Sequence, residues 1–402
     1  MINDKNKHSW CVNACHSMSG DNNGSTKICC MIDTERDELR LGVDSLDKHF
    51  NREFWNEIRN DLQNGVRHSA CHRCWEEEDA GRDSKRVRDN HRYEWDLTNG
   101  EDPYKGLAKV ELNLGNTCNI KCRTCMPAIS SKWMKEYYDV YESHKVSYRD
   151  WAKTMDVYYK SYDEHSPFWD DIEEALPNVR QFDFYGGEPF MSKKMWALLR
   201  IAVEKGYSKN IELHYNTNGT HWPKEVELWK DFKSVNLSFS IDGIYERFEY
   251  MRHPAQWSEL MTNLKNAQRF KLEYPNLSLS WCITLSTLNI FNLKETLDFY
   301  YKNFSDMGHY LNLVHGPDHY NISILPDGVK EKVIEELESI SKEYTNTWHQ
   351  LPGVIQFIKN GKPNKQVWEK LFLTTELHDA YRKENFASTF KEYQEVIENV
   401  DG

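Results

Sequence analysis

KVELNLGNTCNIKCRTCMP (residues 109–127) is a short strand-like run that breaks into a loop carrying three cysteines. KVELNL (109–114) sets apolar Val110, Leu112 and Leu114 against polar neighbours, the period-two signature of a strand. Five runs of the same kind follow: RQFDFY (180–185), NIELHYN (210–216), VNLSFSID (235–242), LSLSWCITL (277–285) and YLNLV (310–314). Between them lie amphipathic segments such as KKMWALLRIAVEKG (193–206) and ELMTNLKNAQRFKLEY (259–274). Alternating strand and helix signals predict an α/β fold, a parallel sheet or barrel with right-handed crossovers.

Working outward, residues 129–176 form a long insertion after the first strand, rich in Trp and Tyr, and are predicted to be helical. From Pro326 the pattern is helical, through DGVKEKVIEELESISKEY (327–344), a Pro-Gly break at 352–353 and two or three further helices. Residues 1–100 carry six cysteines, little strand signal and a strongly charged stretch. The expected domains are therefore 1–100, 101–325 and 326–402.

The 402 residues suffice for two or three domains, and an aromatic content of 13% argues for a packed core and against disorder. No apolar run approaches the roughly 20 residues of a membrane helix. MINDKNKHSWCVNAC has neither the apolar core nor the cleavage pattern of a secretory signal, so a soluble cytoplasmic protein is expected. With 51 Lys and Arg against 63 Asp and Glu, the net charge is -12. That balance disfavours a broad nucleic-acid-coating surface and leaves local RNA contact open. Nine of the ten cysteines fall before residue 126, and in a reducing compartment such groups read as metal ligands or catalysts rather than disulfides.

Cys118, Cys122 and Cys125 are separated by three and then two residues. A loop of that size can wrap three thiolates around one corner of a cubane [4Fe–4S] cluster and leave one iron without a protein ligand. A zinc site is the alternative, although no fourth Cys or His follows nearby in sequence. The second strand ends in GGEP (186–189), where two glycines permit unusual backbone angles and Glu188 offers a carboxylate at the strand's carboxyl end. That edge is where ligands bind in parallel α/β folds. A glycine turn with a capping glutamate is the plainer reading of GGEP alone.

With these two motifs in order, residues 107–325 resemble the radical S-adenosylmethionine (radical SAM) superfamily. The resemblance implies a partial (β/α)6 barrel of the TIM type, with Cys118, Cys122 and Cys125 holding a [4Fe–4S] cluster whose open iron binds the methionine part of SAM. It makes Gly186, Gly187 and Glu188 contacts of the SAM amine. Asn216, Thr217 and Asn218 in HYNTNGT, and Ser238, Ser240 and Asp242 in SFSIDG, stand where the family reaches the ribose and carboxylate of SAM. Arg252 in EYMRHP stands where related members carry an arginine near that carboxylate. Thr124 departs from the aromatic residue many members place before the last cysteine. The implied chemistry is reductive cleavage of SAM to a 5′-deoxyadenosyl radical that takes a hydrogen atom from substrate. An external electron donor such as flavodoxin or ferredoxin is implied with it.

The N-terminal cysteines admit a zinc ribbon or a second iron–sulfur cluster. Cys11, Gly24 and Cys29, followed by Cys71-x2-Cys74, resemble the first half of a SPASM/Twitch auxiliary-cluster domain. Here it precedes the barrel and lacks the cysteines for two clusters, so the resemblance implies a single [4Fe–4S] cluster on Cys11, Cys29, Cys71 and Cys74. Cys15 and Cys30 fall outside that pattern. Arg82, Lys85, Arg86, Arg88 and Arg92 read as a solvated helix, His315 and His319 as a polar substrate-edge loop, and Cys282 as a buried thiol. Related enzymes commonly modify peptides, which makes a peptide or protein the first substrate class. A small-molecule dehydrogenase or epimerase acting on a sugar or alcohol, a tRNA-modifying enzyme, and a non-catalytic iron–sulfur or zinc protein are the alternatives.

Overall fold

The computed structural model describes residues 3–32, 39–79, 83–93, 107–344 and 350–393. Arg82 and the expected boundary near residue 100 lie outside them. Eight strands lie in one sheet in the order β2-β1-β3-β4-β5-β6-β7-β8. They are β1 (Ser17–Gly20), β2 (Thr26–Lys27), β3 (Lys109–Asn113), β4 (Gln181–Tyr185), β5 (Glu212–Thr217), β6 (Ser234–Ser240), β7 (Leu277–Leu285) and β8 (Gly308–Leu313). Strands β3 to β8 are the six expected from the sequence, and the architecture is the α/β kind anticipated. The chain divides into two compact units: residues 1–117, 153–215 and 223–235, and residues 118–152, 216–222 and 236–402.

In the first unit, β1–β3, β3–β4 and β4–β5 pair in parallel, and β1–β2 is a short antiparallel pair. Register aligns Val110, Phe182 and Leu213 in one row and Glu111, Asp183 and His214 in the next. One face is therefore apolar, and Val110, Leu112, Phe182 and Phe184 are fully buried. The helix Lys193–Glu204 covers that face, with the Trp196 ring stacked 6.5 Å from Tyr215. Its first turn is capped by Ser192, which accepts from Met195 N at 3.2 Å. The opposite face is polar yet buried. Lys109 lies 3.1 Å from Glu111 and 3.5 Å from both Asp89 and Asp183, and Lys85 completes the network on Asp89 and Glu111.

Two expectations need correction here. Residues 1–100 do contain strands: β1 is built from SMSG, too small and polar to show the apolar alternation of a strand, and its partners in β3 hold it in the sheet. The basic stretch is a solvated face only in part. In the helix Lys85–Tyr93, Lys85 is ion-paired as above, Arg86 grips Glu78 at 2.6 Å and Trp10 O at 2.6 Å, and Arg92 bonds Glu212 at 2.7 Å. Lys85 and Arg86 are thus used inside the protein, whereas Arg88 and Arg92 are exposed.

The second unit holds β7 and β8, which pair in parallel over six residues, Ser280↔Gly308 to Leu285↔Leu313. Trp281, fully buried, packs its ring 5.4 Å from Tyr300 of the helix Leu293–Asn303. The helices Asp327–Glu343, Leu351–Asn360 and Lys365–Arg382 share one hydrophobic core with Ile283 and Leu285 of β7. Pro352 and Gly353 begin a helix here rather than break one. Proline at a first helical turn needs no donor and brings a suitable φ. Within the insertion, helices Trp133–Tyr137, Tyr148–Thr154 and Phe168–Ala175 confirm the helical expectation, and Tyr138–Glu142 forms a π-helical turn.

Candidate active site

In the second unit the cysteine loop is pinned by its backbone. Lys121 N donates to His253 O and Arg123 N to Met251 O, each at 2.7 Å, while Trp133 Nε1 donates to Cys122 O at 2.8 Å. Cys118 and Cys122 are buried and Cys125 is half-buried. A hydrogen bond from Cys125, reinforced by Arg252, brings the Cys122 thiol down to about 7. The Cys125 thiol is pushed up by that same bond and by burial, with Cys122 and then Cys118 adding charge repulsion. Cys122 and Cys118 both act on the Cys125 sulfur.

Three of the polar residues expected beside SAM, Arg252, Asp242 and Asn218, lie against this loop or beside one that does. Arg252, buried after the helix Tyr245–Met251, directs Nη1 at Cys122 Sγ (3.7 Å) and Nη2 at Asp242 Oδ2 (2.6 Å). The other Asp242 oxygen accepts from Thr284 N at 2.9 Å, so the aspartate holds the arginine in place. Asn218 donates to Asn119 Oδ1 at 2.9 Å and lies 3.8 Å from Cys118 Sγ. Asn216 donates to Tyr310 Oη at 3.2 Å. Ser240 is half-buried at the end of β6. Ser238 pairs with Ser280 at 2.7 Å.

In the first unit, Gly186 (φ +72°) and Gly187 (φ +53°) are left-handed. A Cβ on Gly186 would meet Asn113 Cα at 2.9 Å, and one on Gly187 would meet Thr117 O at 2.3 Å. Only glycine lets the chain fold back this closely. Glu188 N then donates to Thr117 O at 2.8 Å, and the buried Glu188 carboxylate accepts from Phe190 N at 3.3 Å. Glu188 is thus a cap as well as a candidate amine contact.

Among the N-terminal thiols, Cys11 precedes the helix Val12–His16, and Cys71 and Cys74 lie at the start of the helix His72–Asp79. Burial pushes the Cys11 thiol well up, and Cys71, Cys15 and Cys74 add to the shift. Burial also raises Cys71, to about 12, with Cys74 adding. Cys29 hydrogen-bonds Cys30, which in turn reaches Glu111. Among the described residues no three His, Cys, Asp or Glu side chains close on a single-ion centre. His315 packs on Phe357 and His319 on Tyr320, so the two imidazoles have different surroundings. Cys282 is buried in β7, as expected.

The residues present suit a cluster with SAM. Three thiols share one loop, and Arg252 keeps a buried Nε without a partner among the described residues. The family model of the Radical SAM superfamily matches residues 112–299, just under half of the chain. Among solved structures, anSMEcpe with bound AdoMet aligns at TM-score 0.41 and 15% identity over 59% of this chain and 60% of its own. Streptococcus suis SuiB bound to S-adenosylmethionine aligns at TM-score 0.38 and 15% identity over 77% of this chain and 65% of its own. SuiB bound to the precursor peptide SuiA aligns at TM-score 0.36 and 13% identity, over 71% and 62%. The chain spans about 60% of the length of anSMEcpe. No curated protein matches it. No helix among the described residues is long and apolar enough to cross a membrane.

Proposed function

We propose that this chain is a radical SAM enzyme that removes a hydrogen atom from a peptide or protein substrate, with an auxiliary cluster held by the N-terminal cysteines. The observation that carries the reading is the three-cysteine loop with Arg252 bridging Cys122 and Asp242. Cys118, Cys122 and Cys125 would ligate the cluster, and Gly186, Gly187 and Glu188 would receive the SAM amine. When bound, the cluster and SAM supply a one-electron reductant and a primary carbon radical. The chain's own work is binding, orientation and exclusion of water. Arg252 offers a fixed cation to the SAM carboxylate, and Asp242 keeps it aimed. Asn216, Asn218 and Ser240 offer hydrogen bonds to the ribose.

The substrate class rests on the resemblance of Cys11, Cys29, Cys71 and Cys74 to peptide-modifying Twitch enzymes. A flavodoxin or ferredoxin would deliver the electron. Anaerobically reconstituted protein with a strong reductant should form 5′-deoxyadenosine slowly without substrate and faster with the correct one. Well-loaded, reduced protein that neither binds SAM nor forms 5′-deoxyadenosine would refute the reading.

A further inference from the structure

The residues interleaved with the three cysteines are the least explained part of the site. Lys121 and Arg123 alternate with ligand positions, yet both send their side chains into a buried charge network. The Arg123 side chain is 0% exposed, and its Cζ sits 4.0 Å over the Tyr250 ring. Its Nη2 donates to Asp379 Oδ1 and, at 2.5 Å, to Glu384 Oε2. Asp379 is itself held by Tyr250 Oη at 2.8 Å and Phe386 N at 2.6 Å, and Glu384 shares a 2.5 Å bond with His253 Nδ1. The same helix end supplies Arg382, whose Nε donates to Glu136 at 2.8 Å, and Glu136 takes Lys121 Nζ at 2.5 Å. The loop is thus tied twice to one segment at the end of the helix Lys365–Arg382.

We propose that residues 379–384 position the cluster-binding loop through Arg123, and that the balance of Arg123 against Asp379 and Glu384 sets the reduction potential of the cluster. Arg123 is a positioning residue: it sits between ligands Cys122 and Cys125, its backbone is fixed on Met251 O, and its charge is answered only by the C-terminal segment among the described residues. A cluster's potential follows the net charge around it. Removing a nearby cation favours the oxidised form, and removing a nearby anion favours the reduced form. Outer partners of metal ligands commonly change metal affinity by roughly 10–100-fold.

The proposal rests on the radical SAM reading, and the experiment separates the two. Full-length wild type, Arg123→Met, Asp379→Asn and the double variant Asp379→Asn with Glu384→Gln are reconstituted anaerobically. Iron retention against a chelator, the electron paramagnetic resonance signal with and without SAM, and the midpoint potential are then measured. Arg123→Met should lower the potential and the double variant should raise it, with Asp379→Asn between wild type and the double. Arg123→Met and the double variant should each lose iron roughly 10–100-fold more readily than wild type. Wild-type retention and potential in every variant, or shifts of one sign in both, would overturn the brace while leaving the enzyme reading standing. A wild-type chain that assembles no SAM-responsive cluster would overturn both.

Discussion

Glu188 does two things that a single substitution can separate. Its carboxylate accepts from Phe190 N, and the proposed function gives it the SAM amine as well. Glu188→Ala should cut SAM affinity by roughly ten- to a hundredfold, the scale of one hydrogen bond to a charged group. The optical spectrum of the cluster should stay unchanged, because none of its proposed ligands is touched. Titration calorimetry showing wild-type SAM affinity would leave Glu188 with its capping role alone. At this scale the sequence was readable where chemistry is local: Cys118, Cys122 and Cys125, and Gly186 to Glu188, each fall within a few residues. Asp242, Asn218 and Arg252 were named in advance, and Arg252 and Asn218 do approach cysteines of the loop. Arg123 was not. Its partner Asp379 lies 256 residues away, and no spacing rule connects an arginine in a loop to an aspartate in a distant helix.

Elements were legible in proportion to the apolar burial they carry. All six runs from KVELNL to YLNLV became strands, most of them by burying alternate large side chains, as Phe182 and Phe184 do, while β8 is half-buried at best and is held by its pairing with β7. SMSG was missed because its pairing with β3, and not its own side chains, makes it a strand. The buried ion network of Lys85, Asp89, Lys109, Glu111 and Asp183 was equally hidden, since charges in a strand read as a wet face until a second element covers them. The end of the helix Lys365–Arg382 yields a prediction of its own. Lys383 adopts φ +59°, ψ +42°, the left-handed conformation that glycine takes at helix ends without a Cβ penalty. Lys383→Gly should therefore stabilise the fold by about 1 kcal/mol, offset in part by greater freedom of the unfolded chain. Chemical denaturation of the two proteins measures it, and a loss of stability would mean that the Lys383 side chain contributes more than its backbone costs.

At the scale of the whole chain, the thiols divide between the two compact units: Cys11, Cys15, Cys29, Cys30, Cys71 and Cys74 in the first, and Cys118, Cys122, Cys125 and Cys282 in the second. If both groups hold [4Fe–4S] centres, the reconstituted protein should contain about eight irons per chain. Replacing Cys118, Cys122 and Cys125 together by Ala should leave about four. Burial raises the thiols of Cys11, Cys71 and Cys74, so metal uptake there must displace protons, and iron binding to the triple variant should strengthen as pH rises. Cys71, Cys15 and Cys74 all act on the Cys11 thiol, so Cys15, outside the proposed set, stands beside three of the proposed ligands. Cys29 is the ligand most in need of a test, because its sulfur is engaged with Cys30. In the triple variant, Cys29→Ser should bleach the remaining cluster, and Cys15→Ser and Cys30→Ser should leave it nearly whole. Iron retained with Cys29 dispensable and Cys30 essential would keep the cluster and reassign its ligand. Stoichiometric zinc with no iron would replace the auxiliary cluster with a structural zinc domain, and the N-terminal cysteines would then have no redox role.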